Sequence, residues 1–224
     1  SADFVAALDL YLRLSGDLEL ARELWPAAER ALEWCARSLD SEGRLANSLA
    51  GIAAVEAGPL SDKIESEVFL QGAWGAALGA GQRLASALGH DPARWRALEE
   101  RLRAAFEVFW SEEKGHYGFA TLRGGGRCDD LTAYLGYAMS RGLGERARAW
   151  ASVQALNRPS VMSDWGARMF ARDSSLYEGT HYNHGAVFPY LTNFTTLALF
   201  AHGHAAAAWQ VLDSQLALTH LNGL

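Results

Sequence analysis

Helical periodicity runs through nearly all of this 224-residue chain, and the breaks in it come in two lengths that alternate. Short breaks fall at Leu14-Ser15-Gly16, Gly89-His90-Asp91, Arg141-Gly142-Leu143-Gly144 and His202-Gly203-His204; long ones occupy 39–63, 111–128 and 157–183. Antiparallel helix pairs with tight turns at one end and extended loops at the other produce this rhythm. The pattern predicts an all-α toroid or solenoid of about eight helices, with the long loops gathered on a single rim. A protein-binding repeat array is the rival. No repeat recurs at a fixed period, and the long loops carry Trp, Tyr, His, Arg and acids rather than turn residues alone.

Two helices are clear from their apolar faces. Over 17–38 the face is Leu20, Leu24, Ala28, Leu32 and Cys35, with Asp17 placed to cap. Over 92–110 it is Trp95, Leu98, Leu102, Phe106 and Phe109, with Asp91 capping and Pro92 at the first helical position. Others are expected at about 3–14, 64–88, 129–141, 145–156, 184–202 and 204–220. Trp25, Trp34, Trp95 and Trp110 fit core faces, and only 116–120 suits a short strand.

Half the residues are hydrophobic and 21% are charged, the balance of a soluble globular chain. A net charge of −6 without any basic run excludes a generic nucleic-acid surface. The most apolar stretch, Val187 to Ala201, is interrupted by Pro189, Thr192, Asn193, Thr195 and Thr196, so no membrane span is expected. No leader is recognised. The compartment stays open, with the cytoplasm slightly favoured. Cys35 and Cys128 make no disulfide or metal framework, and no metal or other cofactor is expected. His181 and His184 have local spacing but no third ligand, and Gly124-Gly125-Gly126 reads as a turn rather than a phosphate loop. His202 and His204 read as surface residues.

Chemistry concentrates in Asp164-Trp165-Gly166-Ala167-Arg168 and Tyr182-Asn183-His184-Gly185-Ala186-Val187-Phe188-Pro189-Tyr190. Sugar sites favour such mixtures. Aromatic faces cover the apolar side of a pyranose, while amides, imidazoles, guanidinium and carboxylates take its hydroxyls.

Together with Leu10-Tyr11-Leu12-Arg13-Leu14-Ser15-Gly16-Asp17, Glu23-Leu24-Trp25-Pro26, Asp40-Ser41-Glu42-Gly43-Arg44-Leu45, Val55-Glu56, Gln71-Gly72-Ala73-Trp74 and 109–117, these segments resemble the (α/α)6-barrel glycoside hydrolases. The resemblance is to the amylo-α-1,6-glucosidase domain of glycogen debranching enzymes, and it spans most of the chain. It implies an inverting hydrolase acting on α-linked gluco-oligosaccharides or glycogen-like glucans. It also implies an incomplete (α/α)6 toroid, since the full barrel has six hairpins. The expected domain is therefore one toroid over 1–224, truncated at both ends. Its partners are an oligosaccharide or polysaccharide and the missing remainder of its own polypeptide. The family's base lies downstream of the Tyr-x-x-Gly motif, beyond Leu224. Phe188 stands where the family usually has Trp.

An inverting glycosidase needs a protonated carboxyl and an ionised one about 6.5–9.5 Å apart. Glu56, among apolar loop residues, is the expected acid; it parallels the family's acid loop, where Asp is usual. Glu65 and Glu67 compete for that role from the first turn of the next helix, and Glu67 is placed to face the rim cleft. Asp129 and Asp130 suit an N-cap, with Asp130 also the candidate substitute base. Asp164, Trp165, Arg168, Tyr182, Asn183, His184 and Trp74 complete the expected sugar-binding set. A toroid-fold glycoside phosphorylase, a sugar epimerase built on His181 and His184, and a non-catalytic scaffold remain alternatives.

Overall fold

The computed structural model describes residues 2–47, 60 and 62–221. Its helices pair at the short breaks. α1 (Ala2–Ser15) turns into α2 (Leu18–Ala36), where the Leu20 amide donates to Asp17 at 3.0 Å. α3 (Val68–Leu88) ends on Gly89, whose φ of 80° lets the chain reverse into α4 (Ala93–Phe106). The Ala93 amide donates to Asp91 at 2.9 Å, as the sequence suggested. α5 (Leu135–Ser140) pairs with α6 (Arg146–Leu156), and α7 (Pro189–Ala201) with α8 (Ala205–Leu221).

Successive odd-numbered helices pack side by side, α1 on α3, α3 on α5 and α5 on α7, and form a curved inner wall. The even-numbered helices back them. α3 is buried on almost every side, whereas α4 buries only Trp95, Leu102 and Phe106, as expected of an inner and an outer layer. Backbones touch within the inner wall: a Cβ on Gly72 would lie 2.7 Å from the Ala138 nitrogen, and one on Gly136 would lie 2.8 Å from that of Thr195. The expected all-α toroid, with its eight helices among the described residues, is what forms. Four hairpins make an arc whose two edges present apolar surface. Leu14 is 80% exposed at one edge and Trp209 57% at the other.

The long segments run along one rim, at the N-terminal ends of α3, α5 and α7, and knit together through short extended pieces. β1 (Ile64–Glu67) pairs antiparallel with β4 (Ala120–Leu122), which pairs with β5 (Arg127–Cys128). β2 (Trp110–Ser111) pairs with β3 (His116–Tyr117), and β6 (Met162–Ser163) with β7 (Gly166–Ala167). Between them the Ala133 amide donates to the Met169 carbonyl at 2.9 Å, and the Met169 amide to that of Ala186 at 3.0 Å.

This knitting shortens three expected helices. Residues 64–67 form a strand, because Ser66 and Glu67 pair with Thr121 and Ala120. The stretch 129–134 is not yet α5, because Leu131 and Ala133 bond to the 169–171 segment. α7 starts at Pro189 rather than 184, since Val187 bridges Arg168 and a proline suits the first helical turn. Trp34, expected in the core, is 54% exposed, and Trp110 is half-buried in β2. His202 is not a free surface group either; its Nε2 is 3.1 Å from the Met139 carbonyl.

Candidate active site

The N-terminal turns of three consecutive inner helices each deliver an aromatic side chain to the same place. Phe69 opens α3, Tyr134 immediately precedes α5, and Tyr190 is the second residue of α7. Phe69 lies at the centre, with ring centroids of Tyr134 at 5.6 Å, Tyr137 at 5.4 Å, Phe194 at 6.2 Å and Tyr190 at 6.4 Å. Tyr137 and Phe194 stack at 4.0 Å with 13° between their planes. Phe188 continues the group, 5.7 Å from Tyr190 and 4.9 Å from Tyr182. Tyr182 is 68% exposed and Tyr190 44%, so one side of this aromatic cup is open to a ligand. The Tyr134 hydroxyl is pushed far up, by burial first and by the Tyr190 hydroxyl it meets next.

Two carboxyl groups flank the cup. Asp3, in the first turn of α1, accepts the Tyr137 hydroxyl at 3.3 Å. Glu67, fully buried behind Tyr134, caps α3: the Phe69 amide donates to Oε2 at 2.5 Å and the Leu70 amide to Oε1 at 3.0 Å. Burial raises its pKa to about 7 even though both amides act to lower it. Glu67 thus does not reach a sugar as expected; its oxygens are enclosed and engaged by the helix backbone.

The titration has a measurable consequence. From pH 4.5 to about 7 an unfolded chain loses the Glu67 proton while the folded protein keeps it. Stability is therefore expected to fall as pH rises through that window, by about 3 kcal/mol, and to level off above it. Denaturant titrations of the wild type and of Glu67→Gln check this. The variant should lose that slope, and an unchanged slope would assign it to another group.

The structure scatters the remaining expected residues. Glu56 lies outside the described residues. Asp130 is a loop clamp rather than a free base: it accepts from the Ser175 amide and hydroxyl, both at 3.1 Å, and from the Cys128 thiol at 3.2 Å. Neither it nor Asp129 caps α5; Asp129 accepts from the Ser111 hydroxyl at 2.9 Å and pairs with Arg127 at 3.1 Å. Trp74 is fully buried within α3, so it is core and cannot stack on a sugar.

Asp164 and Trp165 form the exposed tip of the β6–β7 hairpin, which leans on α8 through a Gln215 bond to the Trp165 carbonyl. Arg168 directs its guanidinium to the carbonyls of Pro159, Val161 and Met162, the last at 2.7 Å, so hydroxyl recognition is not its role here. The hairpin is tied to α7 by the Ala167 amide, which donates to the Thr192 hydroxyl at 3.0 Å.

His184 is only 6% exposed, under its own loop, edge-on to Phe170 at 6.0 Å and 4.4 Å from His181. Burial, then His181, lowers its pKa, and its Nε2 is buried without a hydrogen-bond partner among the described residues. Asn183 is half-buried beside it, its amide donating to His181 Nδ1 at 3.2 Å. Of the expected sugar-binding residues that the structure describes, Tyr182 alone joins the rings of the cup. The residues that build it (Phe69, Tyr134, Tyr137, Tyr190 and Phe194) were visible as aromatics at or just inside helix starts, a signal that needed the hairpin register to interpret. Among the described residues no group of three or more His, Cys, Asp or Glu gathers to hold a metal.

A family model for the mannosylglycerate hydrolase MGH1-like glycoside hydrolase domain matches residues 74–224. No curated protein matches the chain. Among solved structures, the fold is shared with a GH63 mannosylglycerate hydrolase from Thermus thermophilus, in complex with Tris. The TM-score is 0.82 at 16% identity, covering 96% of this chain and 68% of that one. A GH78 rhamnosidase of a Bacillus species gives 0.70 at 19% identity over 97% of this chain and 20% of that one. A rhamnosidase from Klebsiella oxytoca gives 0.64 at 18% over 92% and 35%.

Proposed function

The chain belongs to the mannosylglycerate hydrolase MGH1-like glycoside hydrolase family, and from that premise we propose that its aromatic cup holds the terminal hexosyl ring of an α-glycoside during inverting hydrolysis. The observation that carries this reading is the convergence of Phe69, Tyr134 and Tyr190 from three helix starts, with Tyr182 and Phe188 beside them. Such faces stack on the apolar side of a pyranose.

The acid in this reading is Glu56. Both ends of the loop that carries it are tied to the start of α3: the Leu45 amide donates to Gln71 Oε1 and the Gln71 side-chain amide donates back to the Leu45 carbonyl, both at 2.9 Å, while β1 leads directly into the helix. Asp130 is engaged elsewhere, so the base is assigned to the hairpins that would close the arc over its exposed apolar edges. On this reading 1–224 is part of one toroid domain.

For the substrate, glucosyl ends of gluco-oligosaccharides are the first reading. A small mannoside is the second, favoured by the family match itself. Incubation with maltotriose, isomaltose and mannosylglycerate, followed by proton NMR of the first-formed anomer, separates the two. Release of the β-anomer from an α-glycoside supports inversion, and the retained anomer defeats it. Tyr190→Ala should raise KM about tenfold with little change in kcat. An unaltered KM would remove the cup from the substrate site.

A further inference from the structure

At the end of the helices opposite the aromatic cup, the turns closing the third and fourth hairpins enclose a cavity of about 650 Å3 lined by Glu145, Arg146, Trp150, His202 and Gly203. Trp150 is 45% exposed and presents an apolar indole face to this cavity. Its ring is held by the His204 imidazole, 5.5 Å away and tilted by 31°. The polar groups around it are of mixed character. Glu145 accepts from the Ala147 and Arg148 amides (3.0–3.1 Å), which keep its carboxylate ionised, and exposed Arg146 brings the opposite charge. His202 gives its Nε2 proton to the Met139 carbonyl, and Nδ1 is the ring's second polar position.

We propose that this cavity is a second carbohydrate-binding site, remote from the cup, that takes a neutral hexopyranosyl chain stacked on Trp150. One cation, one anion and an imidazole around an apolar face suit hydroxyls that both donate and accept; a uniformly charged ligand would meet a like charge whichever its sign. The volume falls within the range of sites for small ligands. The inference rests on the family and not on the choice of glycone or on Glu56.

Isothermal titration with maltohexaose and mannohexaose, using wild type, Trp150→Ala, Trp150→Phe and Tyr190→Ala, tests it. Trp150→Ala should weaken binding of a neutral hexasaccharide at least tenfold while keeping the wild-type melting temperature. Trp150→Phe should recover part of the loss, and Tyr190→Ala should leave this binding in place. Unchanged affinity in Trp150→Ala, loss in Tyr190→Ala instead, or no millimolar binding of either sugar by the wild type would each overturn the proposal. Equally tight binding of a polyanionic hexauronide would overturn its neutral class.

Discussion

Glu56→Gln is expected to lower kcat about 10³-fold on an α-glycoside with a sugar leaving group, and far less on the corresponding glycosyl fluoride. The asymmetry follows from the job of an acid. An alkoxide leaves poorly and needs a proton as the bond breaks, whereas fluoride leaves without one. A glutamine keeps the shape of Glu56 but cannot supply that proton. Damage to the loop, by contrast, would slow both substrates alike. Glu67→Gln is the informative partner, because Glu67 is the buried carboxyl beside the cup with a pKa near 7. Its oxygens cap α3, so its loss should fall on stability and be indifferent to the leaving group. A leaving-group-dependent loss in Glu67→Gln but not Glu56→Gln would transfer the acid role to Glu67.

The hairpin order was readable because periodicity and breakers are local signals. Asp17 and Gly89 act at helix ends where their chemistry predicts, and every short break became a tight turn. The rim was far less legible. Residues 64–67, 129–134 and 184–188 carry helix-compatible patterns, yet each stretch is tied by backbone pairing to another long loop. Those partners are distant in sequence, as with Ser66 and Thr121 or Ala133 and Met169. Internal bonds likewise explain the misplaced site residues. Asp130 and Arg168 look like ligand groups in sequence, but Asp130 fastens its segment to Ser175 of another loop, and Arg168 folds back onto carbonyls of its own loop. The motifs pointed correctly to a toroid glycosidase; the family model then selected the MGH1-like group, and nothing ties the chain to glycogen debranching in particular.

The inner wall supplies the sharpest test of how fold and site are joined. Gly136→Ala sets two effects against each other. Replacing a helical glycine with alanine favours the helix by up to about 1 kcal/mol. At Gly136 the new methyl would also stand 2.8 Å from the Thr195 nitrogen and 2.9 Å from its Cα, and backbone cannot step aside as a side chain can. Overpacking of that kind costs roughly 1–3 kcal/mol or more, so the expected net result is a loss of about 2 kcal/mol and a melting temperature lower by roughly 4–8 °C. Gly79→Ala is the control. It lies in α3, where the methyl would meet only the flexible end of Arg83 at 3.3 Å, and it should be neutral or stabilising. Separating α5 from α7 would also pull Tyr137 from Phe194, whose rings stack across that contact at 4.0 Å. Gly136→Ala should therefore weaken sugar binding even well below its melting temperature, while Gly79→Ala should not. If both variants melt like the wild type and bind equally, the close approach of α5 and α7 does not hold the cup together.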